Sequence, residues 1–128
     1  PKPMTPQDFG TYVEYLLAIK CIEEGYAVSF PLQTHSAYEC IIDTGERIVK
    51  DKIKGTKQKK GKKGDVKLNI ADRNAQKYHR QDVDFFAVYS TAFDGFFIFP
   101  YKDQKSIRLG NKKTMAKYFN NFAFEFCS

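Results

Sequence analysis

Residues 36–55 read SAYECIIDTGERIVKDKIKG, the pattern of a β-hairpin. Residues 38–43 form a short run centred on Ile41 and Ile42, Thr44-Gly45-Glu46 supplies a glycine-containing turn, and residues 47–54 form a second run. Side chains alternate along a strand, so Lys52 and Lys54 share one face while Val49, Asp51 and Ile53 share the other. Glu39 stands at the start of the first strand. An acid, a turn and a polar-x-Lys step ending the second strand place carboxylate and ammonium groups where two strands meet. That is the makings of an active site.

Upstream, Thr5-Pro6-Gln7-Asp8 reads as a helix start, with Thr5 as N-cap, Pro6 at the first helical position and Asp8 in the first turn. The helix is expected to run to about Glu24 and to stop at Gly25. Phe9, Tyr12, Val13, Leu16, Leu17, Ile19 and Ile22 fall at helical spacing on one broad apolar face. Glu14 lies near its edge, where periodicity alone makes it an ordinary solvated carboxylate. Residues 26–30 read as a strand ended by Pro31.

Downstream, residues 55–64 hold five lysines and three glycines with no apolar residue, so they cannot contribute to a core. They are either a solvated tip or a loop in which Lys57, Lys59, Lys60, Lys62 and Lys63 grip phosphates. In residues 65–70 Val66, Leu68 and Ile70 alternate with Lys67 and Asn69, a strand with an apolar inner face. Together with the lysine loop this strand is expected to form a β-ribbon that enters a DNA groove. Arg73, Asn74, Lys77 and Arg80 suit a segment contacting the DNA backbone. Residues 83–89 are a near-continuous apolar run and 96–99 pair with it across Phe93-Asp94-Gly95, a core strand pair given no chemistry. Residues 102–109 are a further short segment, and 114–119 a turn or two of helix. Residues 119–126 pack four phenylalanines into the C-terminus, either closing the core or forming a subunit interface.

The chain has 128 residues, 42% hydrophobic, with 12 Phe, 8 Tyr and no Trp, so one aromatic-rich domain is expected over 1–128. Pro1-Lys2-Pro3 precedes Met4, which reads as a natural start. Lys and Arg number 21 against 15 Asp and Glu, for a net charge of +6, which suits a polyanionic partner or simply a basic surface. Cys21, Cys40 and Cys127 are odd in number and lack C-x-x-C spacing, so neither a disulfide framework nor a zinc site is expected. His35 and His79 stand apart and read as solvent-facing or locally bonded. No apolar run is long enough for a membrane span, and a cytoplasmic protein with no membrane partner is expected.

The sequence of motifs, Gly10-Thr11-Tyr12-Val13-Glu14 on a helix, Glu39 on a hairpin, Lys52-Ile53-Lys54 ending its second strand, and then an acidic turn with an aromatic strand pair, resembles the PD-(D/E)XK nucleases. Within them it is most similar to bacterial homing endonucleases encoded in group I introns, over about Thr5 to Phe99. The resemblance implies an α+β fold of α/β/α-like layering, with a mixed central β-sheet flanked by helices and a basic β-ribbon. It also implies a site-specific endonuclease that hydrolyses phosphodiester bonds of double-stranded DNA with Mg²⁺ or Mn²⁺. Glu14, Glu39, Lys52 and Lys54 then occupy the catalytic positions, and Glu14, Glu39 and the main-chain carbonyl of Ile53 those of metal ligands. Cutting both strands takes two sites, so a homodimer is the minimum, and a long target favours a homotetramer.

Two positions depart from the family pattern. Glu39 stands where Asp is usual, and Lys52 where Glu, Asp or Gln is usual. An ammonium has no lone pair and cannot hold a metal. Either Asp51 turns to the site through a bulge and replaces the missing ligand, or the copy is impaired or inactive. A Holliday-junction resolvase and a non-catalytic DNA-binding module are the competing readings.

Overall fold

In a computed structural model of the chain, residues 2–33, 36–70, 83–110 and 113–125 are described. The first element is α1, Pro6–Glu23. Its start is held by Thr5, whose side chain accepts from the Asp8 N–H at 3.1 Å. At its end Gly25 takes φ +89°. There the Gly25 N–H donates to Ile22 O and the Tyr26 N–H to Cys21 O, a Schellman stop that turns the chain into β1, Ala27–Ser29.

The hairpin follows as β2, Cys40–Asp43, and β3, Ile48–Thr56. Its turn is closed by the Thr44 N–H donating to Arg47 O at 3.0 Å, with Gly45 at φ +91°. Strands β4, Val66–Asn69, β5, Phe85–Ser90, β6, Gly95–Pro100, and β7, Ser106–Leu109, complete the sheets, and α2 is a short helix, Lys113–Ala116. The main sheet has the order β1-β2-β3-β5-β6. Only β3 and β5 pair in parallel; the other neighbours are antiparallel, so the sheet is mixed.

Each face of this sheet buries its own apolar cluster. On one face Val13, Leu17 and Cys21 of α1 pack against Ile42, Val49, Phe85, Ala87 and Ile98. On the other, Phe86, Val88, Phe97 and Phe99 pack against Val66, Leu68 and Leu109 of a second, two-stranded sheet, β4-β7. The layers among the described residues are therefore one long helix, the mixed sheet and the ribbon. α1 crosses β3 closely at Gly55. A Cβ there would lie 2.6 Å from Val13 Cγ2 and 2.7 Å from Phe9.

Several expectations are corrected in detail. Gly55 and Thr56 are not loop residues; they continue β3, because β5 pairs with them in parallel through Tyr89 and Ser90. β4 does not form its ribbon with the lysine loop. It pairs with β7, Lys67 opposite Arg108 and Asn69 opposite Ser106. At the C-terminus, Phe124 is buried against Phe85 with ring centres 5.4 Å apart, and Phe122 packs on the same core. Tyr26 Oη donates to Phe122 O at 2.8 Å and Arg47 Nη1 to Phe124 O at 2.7 Å, which fastens the segment down. These two phenylalanines close the core. The α1 residues taken as one apolar face divide in two: Val13 and Leu17 are buried, whereas Tyr12, Ile19 and Ile22 are exposed.

Candidate active site

The site is built where β2 ends and β3 continues. The β2–β3 register runs unbroken from Asp43 opposite Ile48 to Cys40 opposite Asp51, and β3 then extends five residues further, to Thr56, paired among the described residues with β5 alone. Beyond Cys40 no strand among the described residues pairs with this edge of β3, and Glu39 caps it. Its N–H donates to Asp51 O at 2.8 Å, and its Oε2 accepts the Ile53 N–H in a short hydrogen bond. Its Oε1 lies 3.6 Å from Lys52 Nζ. α1, held against β3 at Gly55, carries Glu14 to the same place.

Glu14, Glu39 and Lys52 line a cleft of about 460 Å³, together with Tyr15, the 30–33 segment, Ser36 and Tyr38. Burial pushes the Glu39 carboxyl above its usual range; the Lys52 charge and the Ile53 N–H pull it back, and the charge of Glu14 raises it further. Burial also raises Glu14. A cation beside Glu39 offsets the charge of Glu14 and favours the ionised carboxylate, and Lys52 is that cation here.

Lys54 points to the same face as Lys52, but its Nζ donates to Asn69 O at 3.0 Å, tying β3 to the ribbon. The regular register leaves no bulge at Asp51, whose side chain is 0% exposed and faces the core beside Cys40. Neither of its carboxyl oxygens has a hydrogen-bond partner among the described residues. Burial, then the charges of Asp84 and Glu39, raise its pKa well above the usual value, which favours the neutral acid. Asp51 does not supply a ligand to the cleft. Asp84 itself is engaged at the start of β5, accepting the Lys50 N–H at 2.9 Å.

The lysine loop follows the site directly. Lys59, Lys62 and Lys63 are exposed, while Lys57 Nζ lies 4.7 Å from the centre of the Phe9 ring and Lys60 Nζ 4.5 Å from that of Phe93. Lys67 and Asn69 are exposed on the ribbon beside Arg108, which pairs with Asp65 at 3.1 Å. Arg108 escaped notice because its strand is four residues long, although Ser106-Ile-Arg-Leu already alternates polar and apolar. Tyr15, Phe30 and Tyr38 at the cleft carried no motif. Arg73, Asn74, Lys77 and Arg80 lie outside the described residues, as do His35, His79 and Cys127.

Glu14 of the helix, Glu39 at the forked hairpin and Lys52 of β3 thus line one cleft. The sequence pattern of the PD-(D/E)XK endonuclease family matches residues 4–125, and the chain belongs to that family. Two solved structures are similar in fold. One is the bacterial homing endonuclease I-Ssp6803I, with TM-score 0.71 and 18% identity over 92% of this chain and 88% of that one. The other is Hjc, a Holliday junction resolvase from the archaeal hyperthermophile Archaeoglobus fulgidus, with TM-score 0.56 and 13% identity over 89% of this chain and 92% of that one. No curated protein sequence matches the chain. No helix among the described residues is long and apolar enough to cross a membrane.

Nucleases of this family use divalent metals such as Mg²⁺, which takes oxygen ligands. The donors present do not fit such an ion as they stand. Glu39 has one oxygen on the Ile53 N–H and the other facing the Lys52 ammonium. An ammonium gives no lone pair and repels a cation by about 4 kcal/mol per unit charge at about 4 Å near a protein surface. Among the described residues no group of three His, Cys, Asp or Glu side chains is placed to hold a metal.

Proposed function

We propose that the chain is a site-specific double-stranded DNA endonuclease of the homing type whose hydrolytic centre is impaired by Lys52. The observation that carries this reading is the Lys52–Glu39 pair at the edge of β3, 3.6 Å apart, in the cleft that Glu14 also lines. A nuclease centre normally gathers carboxylates around a cation that polarises the phosphate and activates water. Here a side-chain ammonium takes the cation's place. It neutralises the carboxylates, so the approach of a phosphodiester does not require metal, but it cannot activate water as a bound ion does. DNA binding is retained and hydrolysis is slow.

Several features support a DNA partner. The exposed lysines of residues 57–63 follow the site in sequence, and the outer face of the ribbon carries Lys67, Asn69 and Arg108. Phosphate contacts from the loop would position the duplex, and long polar side chains on a ribbon are the type that reads base edges. That ribbon favours sequence-specific duplex recognition over recognition of a branch point. Selection from random duplex DNA in EDTA, followed by sequencing, tests it. A partly palindromic motif is expected, bound more tightly than a four-way junction. Preference for the junction, or no enriched sequence, would overturn the reading.

A further inference from the structure

The cleft that holds Glu39 and Lys52 has more room than a phosphate group fills. It measures about 460 Å³, within the range of about 300–1,000 Å³ in which proteins enclose small organic molecules. Besides Glu14, Glu39 and Lys52 its walls are largely rings and aliphatic groups, from Tyr15, Phe30, Pro31, Leu32 and Tyr38, with the amide of Gln33 among them. Tyr15 of α1 and Phe30 meet at 88° with ring centres 6.3 Å apart, yet remain 61% and 39% exposed. Two rings at right angles make a corner, where a flat group laid on one turns its edge to the other, the contacts aromatic groups prefer. At the same cleft Leu32 is 97% exposed, on a backbone stiffened by Pro31 before it.

We propose that the cleft takes a nucleobase swung out of the duplex, the one beside the phosphate that meets Lys52. Connectivity names the occupant. A DNA phosphate that reaches the Lys52 ammonium brings a sugar and a base with it, and the base is the flat, ring-sized part. The walls suit it. Stacking on Tyr15 or Phe30 accepts any base, because every base has a π face, while the Gln33 amide offers a donor and an acceptor side by side to a base edge. Leu32 suits the other half of the exchange. A base that leaves the stack leaves a gap, and an exposed apolar side chain on a stiff turn is the kind of wedge that proteins insert between base steps. The proposal rests on the reading of the chain as a duplex-binding protein and adds to it one position recognised outside the helix.

Fluorescence anisotropy with three labelled duplexes of one sequence, titrated with the full chain in EDTA, provides the test. At one central position the first carries adenine opposite thymine, the second adenine opposite an abasic site, and the third abasic sites on both strands. The duplex with the unpaired adenine should bind about 10-fold more tightly than the paired one, because unpairing no longer costs the protein anything. It should also bind more tightly than the doubly abasic duplex, which is as pliable but has no base to give. Tyr15→Ala should lower affinity for the unpaired adenine about 10-fold and erase its advantage, and Tyr15→Phe, which keeps the ring, should preserve it. The three-duplex comparison uses the wild type alone and decides the matter even where a variant does not fold. Equal affinity for the unpaired and paired duplexes, or for the unpaired and doubly abasic ones, would overturn the proposal and leave duplex binding in place. An advantage untouched by Tyr15→Ala would also overturn it. No binding to any of the three would overturn the DNA reading and the proposal with it.

Discussion

Replacing Asp51 with valine should stabilise the protein, and by an amount that grows with pH. Asp51 lies in β3 with its side chain fully buried and neither oxygen hydrogen-bonded among the described residues. An unpaired polar group inside a protein costs about 1–3 kcal/mol by mutational measures, and valine, close in size and β-branched in a strand, removes that cost. The pH dependence follows from the raised pKa. The folded chain keeps the Asp51 proton after the unfolded chain has lost it, so the folded state binds more protons and the wild type loses stability as pH rises. The loss begins near the usual value of 3.8 and ends at the folded-state pKa. Between these limits the two proteins should diverge by about 1.4 kcal/mol per pH unit. Urea unfolding of both at successive pH values from 4 to 8 reads this directly. Equal slopes, or a destabilised valine variant, would show that Asp51 is ionised and paired in the folded chain.

Two further outcomes follow from the same geometry. Lys59, Lys62 and Lys63 changed together to alanine should weaken binding to all DNA sequences alike and reduce the salt dependence of log K by about 0.9 per lost phosphate contact, with thermal stability unmoved; an unchanged slope leaves the loop a solvated tip. Gly55→Ala forces a methyl into the crossing of α1 and β3, 2.6 Å from Val13 Cγ2, and should cost about 1–3 kcal/mol of stability in a denaturant titration; no loss would mean that the helix does not lie this close to the strand.

Much of the site was legible because it rests on local rules. Thr5, Pro6 and Gly25 mark the ends of α1, and alternation along β3 alone separates Lys52 from Asp51. The parts not legible depend on contacts between distant segments. Nothing within residues 65–70 says that β4 will pair with β7, about forty residues later, and not with the loop beside it. Gly55 reads as the start of a flexible loop until β5 is found alongside it. The double-sided helix is a third case: Phe9, Tyr12, Val13, Leu16, Leu17, Ile19 and Ile22 span so wide an arc that periodicity cannot say which members meet the sheet. The resemblance to a nuclease family placed Glu14, which helical periodicity left as a solvated carboxylate.

If Lys52 fills the place of a catalytic cation, restoring an oxygen donor there makes cleavage depend on metal. Cleavage of the selected duplex by the wild type should be slow and nearly the same in EDTA and in Mg²⁺, while binding is strong in both. Lys52→Gln with Glu39→Asp should make cleavage Mg²⁺-dependent and faster by several orders of magnitude, with Lys54→Ala in that background abolishing the gain. Rapid Mg²⁺-dependent cleavage by the wild type, or a double variant no faster than it, would contradict the account.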